Sequence, residues 1–143
     1  MSAVGLESID RTVHLTHIWI NDLDSRLGWE SKARSYRLLR TVLQTLRDWL
    51  PTNESADFAA QLPELLPGAY YEHGRPATAP VKHRSKRDFL AHIDQAFKAD
   101  PITDTTEAVA TVFSMLSDKI THGVRQSLQA DLRELWPTSA WAA

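Results

Sequence analysis

Cysteine is absent from the 143-residue chain, and glycine and proline are scarce, at five and seven. The first absence excludes a disulfide scaffold, a thiolate zinc site and a thiol nucleophile. No apolar run approaches the eighteen or so residues that a membrane span requires. The first ten residues have neither a basic n-region nor an apolar h-region, which argues against a secretory signal and points to a cytoplasmic location. Familiar catalytic signatures are missing too: there is no Gly-x-Gly-x-x-Gly, Walker loop, His-Glu-x-x-His or Gly-x-Ser-x-Gly, and no glutamate has a histidine three residues later. These absences lower the expectation of nucleotide cradling, hydrolysis or a ferritin-like centre. What is present, 43% hydrophobic and 24% charged residues with a net charge of −2, fits one globular domain over 1–143 with a single core.

The few prolines and glycines fall almost entirely at the ends of long runs, and those runs are helix-sized. They delimit six candidate helices, over 6–27, 29–50, 52–62, 81–100, 102–122 and 124–136. Periodicity sets the type. Ile9, Val13, Ile20, Leu23 and Leu27 recur at three and four, and Tyr36, Leu39, Val42, Leu43, Leu46, Trp49 and Leu50 fill one broad face. Phe89, Ile93 and Phe97, then Val109, Val112, Phe113, Leu116 and Ile120, follow the same rule. Start signals agree: Ser85 with Asp88 has the form of a capping box, Asp104 or Thr105 can cap the fifth helix, and Thr52 or Asn53 the third. Pro63 predicts a kink or restart in the third helix.

Shifting the chain by seventy positions aligns it on itself without a gap. Thr41, Val42, Leu46, Asp48, Ala60, Leu62, Glu64, Leu65 and Pro67 recur as Thr111, Val112, Leu116, Asp118, Ala130, Leu132, Glu134, Leu135 and Pro137. Unrelated chains would give roughly two identities in a window of this size. Upstream, Trp19, Ile20, Leu23, Asp24 and Leu27 meet Phe89, Leu90, Ile93, Asp94 and Phe97. The expected architecture is therefore all-α: a compact six-helix domain of two three-helix repeats related by a pseudo-two-fold. Repeat one covers about 9–67, a connecting loop 68–84, repeat two about 85–137 and a short tail 138–143.

The segments RTVLQTLRDWLP (40–51), AAQLPELLPGAYYE (59–72) and ELWP (134–137) resemble a bacterial family known as domain of unknown function 2267. The resemblance runs from about Trp19 to Pro137 and implies a small all-helical bacterial protein; it brings no activity with it.

Candidate binding residues come from the charge pattern. Arg37, Arg40, Gln44 and Arg47 project within one sector of the second helix, opposite Leu39, Val42 and Leu46. Arginine makes bidentate contact with carboxylates, so this stripe is a candidate docking surface for a protein or a small acidic ligand, against the bland alternative of a solvated face with Arg47 paired internally. Tyr70, Tyr71 and His73 join it as candidates, since they can line a pocket, although one tyrosine commonly anchors such a loop on the core. The segment from Glu72 to Asp88 also holds Arg75, Lys82, Arg84, Lys86 and Arg87. A single basic cluster on a net-acidic chain argues against nucleic acid as the partner and leaves weak binding through this loop as a second alternative. His14 and His17, with Asp10, have metal-ligand spacing, but His17 falls near the apolar stripe and reads better as a core or rim histidine. Asp88 with His92 and Asp118 with His122 read as local helix pairs. The leading expectation is a non-enzymatic interaction or regulatory module without catalytic residues, metal or cofactor. The first alternative is an enzyme with a groove between the repeats that uses His17, Asp48 or His73. Oligomeric state is not encoded in any of these patterns.

Overall fold

The computed structural model describes residues 3–50, 52–62, 70 and 85–119. Within them the chain is helical and no strand occurs. The elements are α1 (Ala3–Leu27), α2 (Lys32–Trp49), α3 (Thr52–Ala59), α4 (Lys86–Ala96) and α5 (Thr105–Lys119). The expected break at Pro63, the sixth helix over 124–136, the tail, and all of the 68–84 connection except Tyr70 lie outside the described residues, as do Tyr71, His73 and His122.

Local chemistry sets the boundaries. Gly28, at φ +67°, ends α1, and its amide donates to Asp24 O at 2.9 Å; a left-handed residue at this point is what glycine supplies without steric cost. Glu30 also takes a positive φ, 54°, so α2 begins at Lys32 rather than at residue 29. Ser31 caps it by accepting from Arg34 N at 3.3 Å. The Asp24 carboxylate then ties the turn back to α1, accepting from Ser31 N at 3.1 Å and from the Ser35 hydroxyl at 2.6 Å. The Ser85 and Asp88 capping box opens α4, and Asp104 caps α5, its carboxylate accepting from Glu107 N at 3.1 Å.

The main packings are α1 against α2 and α5, α4 against the same two helices, and α2 against α5. Leu23, Leu38, Leu43 and Leu46 meet Phe89, Ile93, Phe97, Val112 and Phe113 in one buried cluster, each side chain gaining about 1.5–3 kcal/mol from leaving water. Phe89 sits at its centre with its ring edge-on to Trp49 at 5.2 Å and to Phe113 at 5.7 Å. The apolar stripe of α1 runs through Thr16, Trp19, Ile20 and Leu23. His17 lies about 100° around the helix from Thr16 and is exposed, so of the two places its spacing allowed, core or rim, it does not take the core one.

Two contacts recur at the seventy-residue offset. The Ser35 hydroxyl donates to Asp24, and the Thr105 hydroxyl donates to Asp94. Trp49 stacks edge-on with Phe89, and at the matching positions the Lys119 ammonium lies 5.9 Å from the Trp19 ring centre.

Candidate functional site

Helix α2 carries four arginines, and the fold treats them differently. Arg34 and Arg37 converge on Asp100 in the α4–α5 turn, at 3.3 and 2.5 Å, and Arg34 also donates to the carbonyls of Asp100 and Pro101. The Arg34 guanidinium lies 4.2 Å over Trp29, and that of Arg37 lies 4.1 Å over Phe97, so aromatic faces reinforce the ion pairs. Hydrogen bonds from Arg37 and then Arg34 hold the Asp100 carboxyl below its ordinary value. Arg47 grips its neighbour Asp48 through two bonds, at 2.9 and 3.1 Å, and donates to Tyr70 O at 3.2 Å. Tyr70 is buried. Its hydroxyl bonds to Ser55, and its ring meets Phe58 edge-on at 5.4 Å, so this candidate anchors residue 70 to the core. Among the described residues only Arg40 of the four makes no ion pair; its guanidinium rests 5.9 Å from the Tyr36 ring.

A pocket of about 210 Å³ opens where α2 meets α4, lined by Thr41, Gln44, Thr45, Arg47, Asp48, Trp49 and His92. The Thr41 and Thr45 hydroxyls donate to the carbonyls four residues back, at 2.7 and 2.8 Å, so they face the pocket as acceptors. The sequence places His92 one helical turn after Asp88. Asp88 is occupied by the cap of α4, and His92 shares a wall with Asp48 instead. No local sequence signal brings His92 and Asp48 together; they meet in one pocket because α2 packs on α4.

Of the three residues expected in an enzymatic groove, Asp48 lines this pocket, His17 lies exposed on α1, and His73 is outside the described residues. Among the described residues no cluster of three or more histidines, aspartates or glutamates is placed to hold a metal ion. No helix there is long and apolar enough to cross a membrane. Asp118, expected beside His122, pairs with Arg26 of α1 at 2.6 Å.

A family model described as Uncharacterized conserved protein (DUF2267) matches residues 16–136. No curated protein matches the chain.

Proposed function

The chain belongs to the DUF2267 family, and on that premise we propose that it is a non-enzymatic helical interaction or regulatory module whose α2 face recognises a protein or a small acidic ligand. The supporting observation is the unequal use of the α2 arginines. Arg34, Arg37 and Arg47 are spent on internal acceptors, whereas Arg40 keeps its charge for a carboxylate from outside. The stripe is thereby narrowed to one residue. Arg40→Glu should leave the far-UV circular dichroism spectrum intact and remove an acidic partner co-purifying with the native protein, identified by mass spectrometry. Recovery of the same partner by the variant would reject this face as the site. The enzymatic reading keeps one point in its favour, the placing of Asp48 and His92 in a single pocket.

The same proposal includes a duplicated architecture of two three-helix repeats. Its support is the pattern of packings. Exchanging α1 with α4 and α2 with α5 turns four of the main helix pairs into one another and returns the α2–α5 pair to itself, and the Asp24 and Asp94 bonds recur under the same exchange. An experimental structure in which residues 19–50 fail to superimpose on 89–120 would reject it.

A further inference from the structure

Part of α1 has the composition of an enclosed helix and stands in water. From Thr12 to Asn21 it carries no lysine, arginine, aspartate or glutamate. A run of the same kind in α5, Ala108 to Ser117, is surrounded by α1, α2 and α4, and most of its side chains are buried. Helices without charge on any side are ordinarily covered on all sides. The main packings of α1, on α2 and α5, bury Thr16, Trp19 and Leu23. They leave Leu15 and Ile18 with 41% and 40% of their surface exposed; with Val13 at 38%, these are the exposed large apolar side chains among the described residues. Leu15 and Ile18 stand three positions apart, about 60° from each other around the axis, and form one flank; Val13 lies away from it. Their exposed neighbours His14, His17 and Asn21 bear no formal charge at neutral pH.

We propose that this flank is where a second copy of the chain docks, α1 lying antiparallel on α1 about a two-fold axis that passes between residues 15 and 18. Leu15 of each copy then faces Ile18 of the other, a self-complementary contact that closes at two chains. Charge selects both the occupant and its direction. The run brings no charge into the contact, so a copy of itself meets nothing that is costly to strip of water. Arg11 and Asp22 stand four positions beyond Leu15 and Ile18, one at each end. A parallel copy would set each beside its like, which is repulsive, whereas an antiparallel copy sets unlike positions together. Asp22 keeps its bonds from Arg26 and Lys119, so the apolar pair and not a new ion pair carries the association. A few helical turns on each side bury less than the roughly 1,200 Å² at which stable interfaces begin, so the dimer is weak, with a Kd on the order of 0.1 mM. The inference rests on neither the Arg40 face nor the repeat reading.

Sedimentation velocity of the full chain up to about 1 mM, past that dissociation constant, should show the mass rising from 16.2 kDa towards twice that value. Ile18→Lys should remain monomeric throughout, with an unchanged far-UV circular dichroism spectrum. Direction is read from cross-linking, for which the absence of native cysteine leaves a clean background: a mixture of Leu15→Cys and Ile18→Cys chains under mild oxidation should form the mixed disulfide dimer faster than Ile18→Cys forms a dimer with itself. A wild type that stays monomeric to the highest concentration, or Ile18→Lys that dimerises like wild type, would overturn the proposal. Preferential self-linking of Ile18→Cys would overturn the antiparallel arrangement. A melting temperature for Ile18→Lys several degrees below that of wild type, both measured well below the dissociation constant, would also overturn it, because the flank would then be filled from within the same chain.

Discussion

Phe89 is the residue on which the packing of α4 depends, and truncating it tests the core directly. Its ring is fully buried and meets two aromatic rings edge-on, one from α2 and one from α5. Phe89→Ala removes the ring and leaves a cavity walled by Trp49 and Phe113, a change that costs about 3–5 kcal/mol in well-packed interiors. Domains of this size hold about 5–15 kcal/mol in total, so the loss is a large share. With a urea slope of about 2 kcal/mol per molar, the midpoint should fall by about 1.5–2.5 M. Phe89→Leu keeps most of the volume and gives up chiefly the two edge-to-face contacts, each about 0.5–1.5 kcal/mol, so it should cost about 1–3 kcal/mol. Equilibrium urea unfolding, followed in parallel by tryptophan fluorescence and far-UV circular dichroism, measures both. If the alanine variant lost less than about 1 kcal/mol, below even the leucine expectation, the placement of α4 between α2 and α5 would be wrong.

Acid should act through Asp22, whose carboxyl is held below its ordinary value chiefly by the hydrogen bond from Arg26, with Lys119 adding to it. A lowered carboxyl stabilises the fold fully above the unfolded value of about 4 and loses that contribution as pH falls through the folded value. Asp22→Asn should therefore flatten the decline in stability below about pH 4 by up to about 1 kcal/mol, the range for partly exposed pairs; superimposable acid profiles of wild type and variant would refute the assignment. Ser85→Ala should cost about 1 kcal/mol in thermal or urea unfolding and speed amide exchange at Asp88, whose N–H the serine accepts at 3.1 Å; unchanged exchange there would reject the capping box.

Helix boundaries were readable where one residue sufficed to set them. Ser85, Asp104 and Gly28 each carry a local signal, and each does in the fold what that signal implies. Helix α2 starts three residues later than the spacing predicts because Glu30 adopts a left-handed conformation that no composition rule assigns to glutamate. Longer-range choices were hidden. The sector shared by Arg37, Arg40 and Arg47 follows from helical periodicity, but nothing near Arg37 in the chain announces Asp100, 63 positions away, or near Asp118 announces Arg26, 92 positions away. The pocket was invisible for the same reason: Gln44, Asp48 and His92 sit on helices brought together only by the packing of Phe89 and its neighbours.

The Arg34 guanidinium lies over Trp29, which follows α1, and over Phe97, which ends α4, while binding Asp100 beyond it. One side chain thus fastens the α1–α2 turn to the α4–α5 turn, each belonging to a different half of the sequence. Neither half can hinge away from the other there without first unstacking that cation and stripping its carboxylate. Opening should be cooperative across the two turns, and the hydrogen-bonded amide protons of Gly28, Ser31, Lys98 and Asp100 should exchange together, released in one event when Arg34 lets go.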